Sequence, residues 1–262
     1  MTIFTTVPDS NLEPGDPIRS VDIIGIKDNT NYLYEKLDAA NVQTFNSSGT
    51  WTKPTVNGTV VGRLVRIQVW GGGGGGGRET AQEFGSGGGG GGYNEITLPI
   101  TSLSSSETVT IGAGGAGRTG SIGAGNAGGN SSFGSHCTAY GGGGGSSFST
   151  NINNFTGGGS QLSAGALGVS GRPSGSTHWA GAPSFYGANV GQDSVFGGAS
   201  GGSMEGTANY AGGLSAYGGA GGNGGRSTTN INGTQPGGGG GGRNNNLDGG
   251  NGGAGRVVVT VF

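Results

Sequence analysis

After residue 53 the chain has no lysine, and after Gly71 it has only two aspartates, Asp193 and Asp248. Charged residues make up 10% of the sequence and hydrophobic residues 30%, against about 25% and 45–50% in ordinary soluble domains. With a net charge of −2 and no lysine in its longer part, the chain offers no basic patch for a nucleic-acid backbone. The single cysteine, Cys137, excludes an intramolecular disulfide framework. No apolar run approaches the roughly 18–20 residues that span a bilayer, and MTIFTTVPDSNLEPGD has neither a basic nor an apolar leader region. Membrane insertion and a signal peptide are therefore not expected. Two aspartates are too few for a calcium β-roll. The absence of a Gly-X-Y period, with four prolines after Gly71 (Pro99, Pro173, Pro183, Pro236), excludes collagen.

What is abundant is glycine: 69 residues, only five of them before residue 71. Such a composition fits a disordered linker, but here Val, Ile, Phe, Tyr and Trp stand at the seams and the glycines recur in short blocks of similar length. The region therefore reads as folded. Ordering costs about 1–2 kcal/mol per residue in backbone entropy, and little apolar area opposes it. Glycine also disfavours the α-helix, by about 1 kcal/mol relative to alanine. The remaining stabilising source is hydrogen bonding between extended rods. Polyproline II has three residues per turn and no internal hydrogen bonds, so its N–H and C=O groups point outward; without a Cβ, neighbours can approach closely enough to exchange them. The expected fold is mostly irregular and β: a polyglycine II bundle capped at one end by short strands, with a short N-terminal helix.

Ten glycine-rich runs start near Gly71, Gly87, Gly112, Gly123, Gly141, Gly157, Gly197, Gly218, Gly237 and Gly249. Six residues of such a rod span roughly 19 Å. If successive runs alternate direction, the strand-like segments 60–70 and 256–262 (RVVVTVF) emerge at one end and can pair. Residues 94–100 and 107–111 read as a hairpin at that same end. The opposite end receives 78–86, 118–122, 146–156, 203–217 and 243–248. The connection 160–196 stays open, because residues 164–175 carry enough glycine for another rod. The domains expected are an attachment segment over 1–45 and a glycine-rich domain over 46–262, with a β cap from 46–70, 93–111 and 256–262 and rods between 71 and 255.

In the N-terminal part Asp16 can cap a helix that Pro17 starts, extending over about 17–39. Ile26, Leu33 and Leu37, flanked by Ile23 and Tyr34, share one face, and Ile18, Val21 and Tyr32 share a second. Two stripes imply contacts on two sides, with the domain and with a partner, unless both fold back on the β end.

Several motifs are weaker than they look. Gly112, Gly114 and Gly117 spell the dinucleotide pattern after a strand, but no helix-forming sequence follows and no acidic residue lies about 20 positions on. No Gly-Lys dipeptide exists for a P-loop. His136, Cys137 and the distant His178 fall short of a zinc site, and residues 137–140 (CTAY) read as a short buried strand with Cys137 as a small hydrophobe. The carboxylates Glu79, Glu83, Glu95, Glu107, Asp193, Glu205 and Asp248 are scattered. No catalytic residue, cofactor or metal is expected. The sharper signal is aromatic residues in the connections amid Asn, Ser and Gly, a composition like that of a paratope; the alternative is that they cover rod ends. The candidate recognition residues are Arg78, Phe84, Phe148, Asn151, Asn154, Phe155, Trp179, Tyr186, Met204, Tyr210 and Asn245.

With TFNSSGTWTKP at 44–54, VRIQVWGGGGGGG at 65–77, NEITLPI at 94–100 and ETVTIGAGGAG at 107–117, the sequence resembles the glycine-rich domain of phage tail-fibre and tail-tip proteins. NSSFG at 130–134 before the 141–145 block fits the same pattern, and DSVFGG at 193–198 fits it loosely. The distal adhesins of T-even-like phage long tail fibres are similar in architecture. That resemblance implies a polyglycine II sandwich whose loops bind a host surface molecule, in a virion protein made in the host cytoplasm. It implies no enzymatic activity. Residues 1–43 do not match the Trp-rich attachment segment of those adhesins. The expected partners are a host surface protein or glycan, and a tail or fibre subunit held through Ile18, Val21, Ile26, Tyr32, Leu33 and Leu37. The rival readings are a structural tail component (a fibre connector or tip plug) and an ice-binding protein, which would need a flat Thr/Ala face.

Overall fold

Residues 64–70 alternate in sequence, LVRIQVW, and a pleated strand sends alternate side chains to opposite faces. In the computed structural model this segment is β5 (Leu64–Trp70), with Val65, Ile67 and Val69 buried and Arg66 and Gln68 on the outer face. The structure describes residues 41–56, 59–60, 62–79, 84–148, 156–165, 180–184, 190–203, 208–226 and 229–262. The expected helix over 17–39, with Ile18, Val21, Ile26, Tyr32, Leu33 and Leu37, lies outside the described residues. Those described are mostly strand and irregular segments, and their one helical piece is a 3-10 turn at Ile100–Ser102.

The strands in chain order are β1 (Asn41–Phe45), β2 (Gly49–Thr52), β3 (Thr55–Val56), β4 (Thr59–Val60), β5, β6 (Phe84–Gly85), β7 (Tyr93–Pro99), β8 (Ser106–Thr110), β9 (Ser131–Phe133), β10 (Cys137–Ala139), β11 (Ser147–Phe148) and β12 (Arg256–Val261). One four-stranded antiparallel sheet runs β1-β12-β5-β7 and a second runs β10-β9-β8-β2. Strands β12 and β5 pair from Arg256↔Trp70 to Val261↔Val65, the pairing expected from alternating runs. The hairpin of 94–100 with 107–111 does not form. Strand β7 matches β5 over all seven residues, while β8 pairs with β2 and β9 in the other sheet. Buried Ile100 and Leu103 carry the chain from one layer to the other. A single hairpin layer would have left its apolar face uncovered.

Val65, Ile67, Val69, Val257, Val259 and Val261 of the first sheet and Trp51, Val109, Phe133, Cys137 and Ala139 of the second form one buried cluster with Ile100 and Leu103. Trp51 meets Phe133 edge-on at 5.5 Å between ring centroids. Each fully buried Val or Ile contributes about 1.5–3 kcal/mol, so this small sandwich is the apolar anchor of the fold. Cys137 sits in it as a buried strand residue, as expected.

Beyond the sheets, backbone hydrogen bonds join neighbouring segments on a three-residue repeat. In 71–77, the N–H groups of Gly71, Gly74 and Gly77 donate to Gly92, Gly89 and Ser86; those of Gly72 and Gly75 donate to Gly129 and Asn126; those of Gly73 and Gly76 donate to Gly253 and Gly250. The carbonyls of Gly72, Gly73 and Gly74 accept from Gly142, Gly115 and Gly240. The run therefore has six neighbours, three antiparallel that accept from it and three parallel that donate to it. Runs 87–92 and 237–242 are likewise surrounded, and these three runs contain glycine alone. At the rim, where one side faces solvent, Ala113, Ala116, Asn126 and Asn251 are tolerated and exposed.

The expectation of ten runs fell short. Residues 180–184, 190–194, 208–214 and 229–234 also cross the block, bonded to neighbours at Thr156↔Ser184, Gly191→Ala211, Tyr210↔Gly224 and Gly241→Ile231. Segment 218–225 consequently runs parallel to 197–203, with bonds Ala199→Gly219 and Gly202→Gly222. Two additional crossings, 180–184 and 190–194, lie in one connection and one each, 208–214 and 229–234, in the next two; four is an even number, so the chain still returns to the sheets at β12.

Candidate functional site

Runs that leave the sheets end together at the far end of the block, where the chain makes its connections. A layer of buried hydroxyls marks the level at which several runs stop: Ser86, Ser146, Thr156, Ser184 and Ser203. Ser86 Oγ lies 3.2 Å from Ser146 Oγ and 3.4 Å from Thr156 Oγ1, and Ser184 Oγ lies 3.0 Å from Ser203 Oγ. Hydroxyls suit this place because they can donate and accept where the ladder of rod bonds ends.

Past that layer, run 71–77 delivers Arg78 and Glu79, 112–117 delivers Arg118, 218–225 delivers Arg226 and 237–242 delivers Arg243. Arg78 exchanges two backbone bonds with Gly123, at 3.0 and 3.1 Å. Its Nη1 donates to Asp248 Oδ1, which also accepts from Gly120 N at 3.2 Å. Asp248 thereby ties loop 118–123 to loop 243–248. Arg78 Nε is buried without a hydrogen-bond partner. Arg118 folds onto its own loop, Nε to Ser121 O at 3.2 Å and Nη2 to Ser121 Oγ at 2.5 Å. Arg243 is 5% exposed and its Nε donates to Gly225 O at 3.2 Å. Burial pushes its pKa down from the usual guanidinium value, and the Asp248 carboxylate offsets part of that. Asn245 and Asn246 are exposed at φ 55° and 60°, a left-handed conformation that asparagine tolerates better than most residues.

Of the sequence candidates, Arg78, Tyr210, Asn245 and the backbones of Phe84 and Phe148 are described, all at the far end. Phe84 and Phe148 stand directly opposite each other where β6 pairs β11. Tyr210 lies on a crossing segment rather than in a loop, bonded to Gly224. Asn151, Asn154, Phe155, Trp179, Tyr186 and Met204 lie outside the described residues. Sequence reasoning missed Arg118, Arg226, Arg243 and Asp248. The available signal was the Gly-Arg step that closes each of four runs leaving the sheets.

The expectation that 203–217 belongs to the far end is corrected for its last residues, because 208–214 recrosses the block. Tyr217 instead ends a row of aromatic rings beside the sheets: Trp70–Tyr93 at 4.9 Å, Tyr93–Phe196 at 5.4 Å and Phe196–Tyr217 at 5.1 Å. Trp70 Nε1 donates to Phe196 O at 2.8 Å. SVFGGA at 194–199 and SAYGGA at 215–220 form matching turns held together by Tyr217 N→Val195 O at 3.0 Å.

A family model described as a glycine-rich domain matches residues 44–262. A comparison with curated proteins gave no match.

Proposed function

This chain belongs to the glycine-rich domain family, and we propose that it is a non-enzymatic phage tail-fibre or tail-tip adhesin. In this reading the rods are polyglycine II, the sheets face the virion, and the far-end connections meet a receptor on the host surface. The observation that carries it is run 71–77, hydrogen-bonded to six neighbours and ending at the Arg78–Asp248 clamp between two loops. Loop ends held by such rods lose little ordering entropy on binding, which favours recognition over a spacer role. The N-terminal segment attaches the protein to a tail or fibre subunit.

The second reading is a structural tail component, a connector or tip plug. Exposed Val195, Leu214 and Tyr217 beside the sheets favour a subunit contact there, which both readings accommodate. The test is binding of the purified chain to intact host cells and inhibition of phage adsorption. The accompanying variant has residues 149–155 replaced by Gly/Ser, which spares buried Ser146 and Thr156. Binding lost with that exchange supports the adhesin; a folded parent that neither binds nor blocks adsorption favours the structural component.

A further inference from the structure

Resting on the reading that the far end is the recognition face, we infer that its row of arginines takes an anionic group, phosphate or carboxylate, carried by a cell-surface glycan. The six cations after Gly71 are all arginine, and each follows a glycine: Arg78, Arg118, Arg172, Arg226, Arg243 and Arg256. Four of them stand at the far end on four successive parallel runs, 218–225, 237–242, 71–77 and 112–117. Gly225 N→Gly242 O, Arg243 N→Gly77 O and Arg118 N→Gly76 O link these runs in that order. At the roughly 4.8 Å spacing of hydrogen-bonded neighbours, the path along the row, which bends at run 71–77, is about 14 Å.

Among the described residues at that end, Glu79 and Asp248 are the carboxylates. Glu79 is 2% exposed, and Asp248 is engaged by Arg78. Neither Arg118 nor Arg226 is in an ion pair among the described residues. Capping of rod-end carbonyls accounts for Arg243, whose Nε bonds Gly225 O, but not for Arg226, which is exposed. The planar guanidinium fork matches phosphate and carboxylate geometry, and lysine does not. Thr119, Ser121, Asn245 and Asn246 surround the row with exposed hydroxyls and amides, and the exposed large apolar side chain of the two loops is Ile122. Protein partners want a buried aromatic or apolar anchor; this corner is built for hydroxyl-rich, charged ligands.

The test titrates the full chain with three probes: lipopolysaccharide with a phosphorylated core, the same material dephosphorylated, and a sialic acid polymer, with neutral dextran as control. The variants are Arg118→Gln with Arg226→Gln, and Arg226→Gln alone should the double variant fail to fold. Arg256→Gln, at the sheet end, serves as the neutral comparison. The expected result is binding to at least one anionic probe that weakens about tenfold in the variant and falls with added salt; the dephosphorylated arm separates phosphate from carboxylate. Binding unchanged by the substitutions or by salt overturns the inference, as does loss of binding to a protein receptor alone. A parent that binds host cells but none of the anionic probes overturns the inference and leaves the adhesin reading standing. A parent that binds neither overturns both.

Discussion

Replacing Gly89 with alanine adds one methyl group to the interior of run 87–92. On an exposed loop such a change commonly stabilises, by about 0.4–1 kcal/mol, because alanine restricts the unfolded chain. Here the sign reverses. A Cβ at Gly89 overlaps the carbonyl oxygen and carbon of Gly157, and both are backbone atoms that cannot rotate away. Relief requires run 156–160 to move from run 87–92. The bonds at risk are Gly159 N→Gly90 O at 2.9 Å, Gly143 N→Gly157 O at 3.0 Å and Gly89 N→Gly143 O at 2.9 Å. Two of them left unmade, at about 1–3 kcal/mol each, cost roughly 2–6 kcal/mol. At about 2–4 °C per kcal/mol for a chain of this size, the melting temperature falls by roughly 5–20 °C.

The matched control is Ala116→Val, which adds more carbon to another run but at an exposed rim position. Its expected effect stays within about 0.5 kcal/mol, or roughly 2 °C. Scanning calorimetry on both variants decides the matter. A Gly89→Ala protein that melts within 2 °C or so of the parent, or an Ala116→Val protein that falls as far as it does, would refute the argument that carbonyl contact between runs sets glycine's place.

Burial pushes the Cys137 thiol up to about 12, so at pH 8 it is expected to resist a thiol reagent in the native protein and react once the chain is unfolded in denaturant; fast native labelling would contradict its place in the sheet core. The Ser104 backbone N–H and then His136 hold the Glu107 carboxylate below its usual pKa. A depressed folded pKa stabilises above the unfolded value of about 4.3 and the benefit is lost as pH falls through the folded one, so Glu107→Gln is expected to flatten the stability loss between about pH 5 and 3. An unchanged acid limb in chemical unfolding would count against that role. Phe133→Ala removes the ring against Trp51 and is expected to cost about 3–5 kcal/mol. Trp51→Phe should cost less, because the Trp51 Nε1 has no partner in the core and losing it removes a buried orphan; equal losses in denaturant titrations would contradict this. Gly120→Ala meets open space but sits at φ 72°, so a fall of about 1–2 kcal/mol is expected from backbone strain alone.

The sheets were legible where side chains alternate. Strands β5 and β12 carry period-two apolar patterns, and the even number of runs between them brings them together as observed. The β7–β8 assignment failed because sequence proximity favours a hairpin, whereas burial favours two facing layers. The crossings 180–184, 190–194, 208–214 and 229–234 escaped for a different reason. Glycine density reads as the sign of a rod, yet these segments, AGAPS, VGQDS, ANYAGGL and TNINGT, hold one or two glycines each. A rim segment needs glycine only where it faces a neighbour's backbone. At Gly181, Gly191 and Gly233 a Cβ would strike the carbonyls of Gly90, Ser200 and Gly238, while Val190 and Asn232 beside them are exposed and keep their side chains. Glycine content therefore reports how many neighbours a run has, not whether a run exists.

The same logic explains which part of the candidate site was readable. Arg78 and Asn245 were found because they stand in connections, which periodicity alone exposes. The row of guanidiniums was hidden by the net charge of −2, which averages over both ends of the block. A run that leaves the sheets must finish at the far end, so its closing residue is placed there whatever its neighbours in sequence. Gly77-Arg78, Gly117-Arg118, Gly225-Arg226 and Gly242-Arg243 close four such runs, whereas Gly255-Arg256 closes a returning run and stands at β12. Charge in this fold is therefore sorted by run direction. In a domain with a side-chain core, four cations on adjacent elements would be constrained by packing as well as repulsion. Here the core beneath them is backbone: Arg243 caps Gly225 O, Arg78 holds Asp248 and Arg118 holds its own loop, but exposed Arg226 has no such bond among the described residues, so nothing in stability demands that all four share a sign. Their sharing one points to a ligand outside the block.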